Sequence, residues 1–268
     1  MRPPFGCTKR RWRLHLVLAL PALIAQPPVP AFAQRAVFGH ELLDTLLRTH
    51  VRDGLVDYDG VARDPRLPRY LAQLDAFEPA VLPRAERLAF WLNAYNAYTL
   101  ALIVRHGERE SIRNINKTFG LALKGPWRER LVRIGGKTYS LDDVEQRIIR
   151  PTFQEPRVHF ALVCAALGCP PLRSEAYRGE LVESQLDDQT RRFLLASPDK
   201  NRIDVPAGRV VLSPIFDWYG EDFGGSRAAL GRYLSRFFPP GPERALLEGG
   251  RFALTYSTYD WRLNTQRR

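Results

Sequence analysis

Three cysteines, five histidines and a single methionine are spread over 268 residues, so metal-binding and thiol chemistry have few places to sit. The chain has no four-ligand array at zinc-finger spacing. It has no CxxC pair of the thioredoxin type, and no GxSxG, HExxH, P-loop or Rossmann glycine fingerprint. These absences remove the familiar signatures of serine hydrolases, zinc proteases and nucleotide-binding domains, and neither a cofactor nor a metal is expected. No internal repeat occurs, and Pro27-Pro28-Val29-Pro30 is the only low-complexity tract. Without an arginine–aromatic repeat or a nucleic-acid motif, a nucleic-acid partner is not expected.

Long apolar runs are missing too. The longest, Leu14 to Ala25, is interrupted by Pro21 and is too short to cross a bilayer as a helix. Its surroundings give it another meaning. Arg2, Lys9, Arg10, Arg11 and Arg13 precede it, and Ala31-Phe32-Ala33 follows as a small-x-small cleavage site. Residues 1–33 are therefore expected to be a signal peptide cleaved after Ala33, with the mature protein periplasmic or secreted. Arg10-Arg11 leaves the general and twin-arginine routes both open, and Cys7 lies ahead of the apolar core, where it cannot mark a lipoprotein site. Removal of the signal leaves roughly 235 residues carrying about +6 formal charge, enough for one substantial domain. A mildly basic exported domain suits anionic surfaces such as cell-wall polymers, or simply stays soluble. A small molecule, a peptide or a cell-envelope component is the expected class of ligand.

Helical spacing is visible over Val37–Val51, Tyr70–Phe77, Leu181–Ala196 and Ser226–Phe238. The longest helix opens at Pro83, where a missing N–H costs nothing, and stops near His106 before Gly107. Gly135-Gly136 joins Leu131–Ile134 to Lys137–Tyr139 as a tight hairpin. Ser140 caps a helix with Asp143 in the capping-box position and Pro151 beyond its end. Arg202–Val205 and Arg209–Leu212 form a second hairpin, and Phe252–Tyr256 a last strand. The elements do not alternate as βαβα. The expected fold is a single α+β domain over residues 34–268, a central buried helix packed on a small, mainly antiparallel sheet with helices around it.

Chemistry concentrates in Val158–Pro171. This stretch holds the two cysteines of the mature chain, Cys164 and Cys169, and His159. Val158–Cys164 reads as a buried strand, which sets His159 and Cys164 on opposite faces and weakens a nucleophile–base pair. Export and the small-residue turn containing Gly168 favour a structural Cys164–Cys169 disulfide. A hydrolase or acyltransferase using Cys164 and His159 is the alternative, and a thiol–disulfide redox role is a third. A zinc site would need His159 and a remote ligand such as His106, and the spacing does not support it.

Two further sets of polar residues stand out. Asn93 and Asn96 lie three apart on the long helix, whose every face is apolar. Their amides either line a ligand cleft or bind the backbone of a loop packed on the helix. Asp217, Glu221 and Asp222 sit among Trp218, Tyr219 and Phe223, a setting in which paired acids can act on sugars or merely cap and pack. Asp142, Asp143 and Glu145 open a helix, where negative charge is favoured without any catalytic task. The expected binding set is Asn93, Asn96, His159 and Asp217, with a cleft between the long helix and the His159 segment.

Several motifs in order resemble the domain of unknown function 547 family. They are Asp57-Tyr58, Leu88 to Ala97, Ile134 to Glu145, His159 to Cys164 with Gly168-Cys169-Pro170, and Tyr259-Asp260-Trp261-Arg262-Leu263-Asn264. The resemblance spans about residues 50 to 264 and implies a bacterial exported member, but no activity or catalytic residue. A more distant similarity, to a transglutaminase or papain-type core, implies His159 as the strand-borne base and leaves the helix without its nucleophilic cysteine.

Overall fold

A helix that is apolar on every side has to be enclosed on every side, and the fold is organised around that requirement. In the computed structural model, which describes residues 36–116 and 125–266, this helix runs over Arg84–His106 with every residue from Leu88 to Leu100 buried. Pro83 precedes it, and Gly107 ends it at φ 60°. There Gly107 and Glu108 return their N–H groups to Val104 and Ile103, the glycine supplying the left-handed turn that other residues resist. The expected signal peptide lies outside the described residues.

The enclosing layer is mostly helical. Tyr58–Arg63, Arg66–Asp75, Val182–Leu195 and a π-helical turn over Asp143–Ile149 all pack on the long helix. The α+β class holds, while the largest sheet lies elsewhere. Its three strands, Arg202–Asp204, Arg209–Leu212 and Ala253–Tyr256, are joined antiparallel and then parallel. They belong to a second apolar cluster that includes Phe193, Phe216, Phe223, Leu234 and Phe252. The Val132–Ile134/Lys137–Tyr139 hairpin forms as expected, with Gly135 and Gly136 both at positive φ, the conformation a two-residue turn demands.

The stretch Val158–Cys164 departs from the sequence reading. It is one helical turn, Val158–Ala161, followed by extended backbone, not a strand. The reason lies in where its backbone groups find partners. The Asn96 amide donates to Ala161 O at 2.9 Å and accepts from Val163 N at 3.0 Å, supplying from a side chain the bonds that a neighbouring strand would otherwise provide. The turn also joins the two clusters, because Val158 and Ala161 pack into the first and Phe160 into the second.

The helix after Ser140 also differs. The capping box forms, with Asp143 N bonded to Ser140 Oγ and Ser140 N to Asp143 Oδ2, both at 3.0 Å. Pro151 does not follow the helix but lies inside it, because the π-turns run directly into Arg150–Phe153. A proline has no N–H to return to the preceding turn and its ring crowds the carbonyl there; the wider π-turn accommodates both effects.

The C-terminal segment closes the molecule. Tyr58 Oη donates to Asn264 Oδ1 at 2.6 Å, and Asn264 bonds to Gly54 through its side chain and to Ala165 and Val56 through its backbone. Gly168 N bonds to Asp260 O at 2.8 Å. A Cβ on Gly168 would lie 2.9 Å from Asp260 N and from the Tyr259 ring, so this close approach requires glycine.

Candidate functional site

Three segments that are far apart in sequence meet at a cavity of about 200 Å³. The π-turns bring Glu145, the turn at Val158–Ala161 brings His159, and the closing segment brings Tyr259 and Trp261. Trp127, Trp218 and Tyr219 complete the aromatic wall, and the Cys164–Cys169 pair forms part of the lining. The aromatic residues support one another: Trp218 stacks on Trp261 at 5.8 Å, and Tyr259 lies 4.8 Å from Trp218 and 4.5 Å from Trp261. Trp218 keeps 49% of its surface exposed, so part of its ring is free at the cavity edge.

Glu145 is the polar centre of this cavity. It is buried, and burial raises its carboxyl pKa, reinforced by the nearby Asp142 and opposed by the Tyr219 and Tyr95 hydroxyls and by Arg150. An acid held this way ionises less readily than an exposed glutamate. The same burial raises Tyr95, Tyr219 and Tyr259, and the negative charge of the Glu145 carboxylate adds to each shift, so the three hydroxyls remain protonated donors.

His159 is 4% exposed. Its Nε2 lies 2.7 Å from Asp222 Oδ2, and its ring stacks at 3.9 Å on Tyr219. Arg150 holds Asp222 through Nε at 2.8 Å and Nη2 at 2.9 Å, a bidentate pairing that keeps this carboxyl below its usual range. Burial lowers the imidazole to about 4; Asp222 works against that shift, and the Arg150 charge adds to it. The ring is therefore neutral at ordinary pH, with its proton on Nε2 facing Asp222.

Cys164 and Cys169 are bonded to each other, so no free Cys164 thiol stands beside His159 in this state. Tyr259 Oη lies 3.0 Å from Cys164 Sγ and 3.1 Å from Cys169 Sγ. Ala165, between the cysteines, adopts a left-handed φ of 61°.

The other residues expected to bind a ligand are placed differently. Asn93 clamps Tyr177, donating to its carbonyl at 2.8 Å and accepting from its N–H at 2.9 Å, and Asn96 holds Ala161 and Val163 as described. Both amides are fully engaged by backbone, and neither residue lines the cavity. Asp217 is exposed and also lies outside the lining, while its neighbour Asp222 is the acid that reaches His159. Glu145, Tyr95, Arg150, Tyr219, Tyr259 and Trp261 were not singled out as site residues by sequence. One signal for Glu145 was available: Leu141, Glu145 and Ile149 recur at four-residue steps, which places a carboxyl on an apolar stripe. Among the described residues, no group of three or more His, Cys, Asp or Glu is arranged to hold a metal ion, and no helix is long and apolar enough to cross a membrane.

The family model described as "Protein of unknown function, DUF547" matches residues 79–194. This segment is similar to that family. It contains the central helix, the π-turns with Glu145, His159 and both cysteines. Tyr219, Asp222, Tyr259 and Trp261 lie beyond the matched DUF547 segment, so the cavity combines residues from inside and outside it. No curated protein and no solved structure gives a match.

Proposed function

We propose that this is an exported protein whose mature part, residues 34–268, is a single globular domain that binds a saccharide of the cell envelope in the aromatic cavity. The observation that carries this reading is a buried carboxyl, Glu145, lining one cavity together with Trp127, Trp218, Tyr219, Tyr259 and Trp261. Sugars present apolar ring faces that stack on aromatic side chains and hydroxyls that need both donors and acceptors. The tyrosine hydroxyls supply donors, and the carboxyl oxygens of Glu145 and Asp142 supply acceptors. Neutral His159, held by Asp222 and stacked on Tyr219, fixes one side of the wall. The central helix stands behind the cleft, contributing Tyr95 to its lining, and Asn96 holds the segment that carries His159 and Leu162. Export is supported by the basic, apolar and small-residue pattern of residues 1–33 and by the disulfide, which belongs to oxidising compartments. The protein is then periplasmic or secreted.

Titration of the oxidised protein with chitotriose, cellotriose and maltotriose, followed by tryptophan fluorescence, tests this reading. A saturable change is expected with at least one sugar, weakened about tenfold or more in Glu145→Gln, where a hydrogen bond to a buried carboxyl is altered. No change with any of the three up to millimolar concentration removes the saccharide reading.

A further inference from the structure

The disulfide has a polarity that a purely structural clamp does not need. Cys169 is 3% exposed, and its sulfur accepts from the backbone N–H of Cys164 at 3.0 Å, while the Tyr259 hydroxyl sits against both sulfurs, 3.0 Å from Cys164 Sγ and 3.1 Å from Cys169 Sγ. Both cysteines line the cavity, and Cys164 is the less buried of the two. The carbonyl of Cys169 is also held by the Lys200 ammonium at 2.9 Å, which anchors the residue independently of its sulfur.

In thiol–disulfide exchange, the attacked sulfur must be accessible and the departing sulfur must be stabilised as a thiolate. The two cysteines divide these requirements between them. We infer that Cys164–Cys169 is a redox-active pair that exchanges with low-molecular-weight thiols entering the cavity, with Tyr259 as a catalytic residue. The thiolate of a first thiol attacks Cys164 Sγ, forming a mixed disulfide as the Cys164–Cys169 bond breaks. The bonding electrons leave with Cys169 Sγ, whose thiolate receives hydrogen bonds from Cys164 N–H and Tyr259 O–H and then takes up the proton lost by the incoming thiol. A second thiol attacks the external sulfur of the mixed disulfide, releasing Cys164 as a thiol. Two thiols are oxidised to one disulfide, and the protein pair is reduced to a dithiol. The reverse sequence oxidises a dithiol pair at the expense of an external disulfide.

This inference uses the same cavity as the saccharide reading but does not rest on it. The sugar titration uses oxidised protein without thiol, and the exchange assay contains no sugar, so each can fail alone. The assay follows reduction of the native, signal-free protein by glutathione and by dithiothreitol, with samples quenched by alkylation and read by mass spectrometry. The expected result is complete reduction without loss of the native circular-dichroism signal, and at least a fivefold slower rate in Tyr259→Phe, which keeps the ring and loses the donor. In Cys169→Ala, oxidised glutathione should label Cys164 readily, and in Cys164→Ala it should label Cys169 at least tenfold more slowly. A pair that is reduced only after unfolding, a Tyr259→Phe rate equal to that of the parent, or equal labelling of the two cysteines overturns the inference. If Tyr259→Phe fails to fold, the labelling asymmetry and native-state reduction of the parent decide it.

Discussion

The Asn93/Asn96 stripe and the Glu145/His159 cavity are both polar groups buried against the same central helix, yet they differ in every respect that bears on function. On the stripe, each amide gives its N–H to one backbone carbonyl and receives one backbone N–H. In the cavity, a carboxyl and an imidazole are both shifted toward their neutral forms and stand beside open space walled by aromatic rings. Burial of a polar group is therefore not by itself a mark of a site. The useful distinction is between a group whose hydrogen bonds are consumed by the fold and one whose protonation is displaced beside a cavity.

The largest effect expected from a single substitution falls on the stripe. Asn96→Ala should lower the unfolding free energy by about 3 kcal/mol, since it leaves a buried N–H and a buried C=O without partners. Urea unfolding monitored by circular dichroism measures it. A variant as stable as the parent would break the comparison, because Asn96 would then not be holding the turn that carries His159.

The dependence of stability on pH comes next. Burial lowers both His159 and His40 to about 4, so below the unfolded value of about 6.5 the unfolded chain binds more protons than the folded one. Stability is then complete above pH 6.5 and falls as pH decreases toward 4, by on the order of 3 kcal/mol for each histidine. Urea midpoints measured across this range should show the slope, and His159→Gln should remove about half of it. A slope unchanged by that substitution would mean that the ring titrates normally.

The sequence showed the scaffold better than the site, and the reasons are specific. The central helix, its Gly107 stop and the Gly135-Gly136 hairpin rest on local rules that act within a few residues, and all three formed as read. The Val158–Cys164 stretch has the β-branched and apolar character of a strand, but its conformation is set by Asn96, more than sixty residues earlier. His159 and the cysteine pair were legible from clustering alone. Their actual neighbours Tyr219, Asp222, Tyr259 and Trp261 come from distant segments, and only the acidic aromatic loop around Asp222 carried any hint of this. Glu145 read as an ordinary helix-opening acid because the π-turns that bury it have no simple sequence signal.

The smallest effect belongs to Asp217. It is exposed and outside the cavity, so Asp217→Asn should change stability by less than about 0.5 kcal/mol and leave sugar affinity as it is. A loss of affinity in that variant would extend the site onto the outer face of the Trp218 turn.

The raised Glu145 carboxyl is read out by difference infrared spectroscopy of the parent against Glu145→Gln over a pH series. The expected result is a protonated-carboxyl stretch, absent from the variant, that persists to a higher pH than in ordinary glutamates. A Glu145 band that disappears in the normal glutamate range would contradict it.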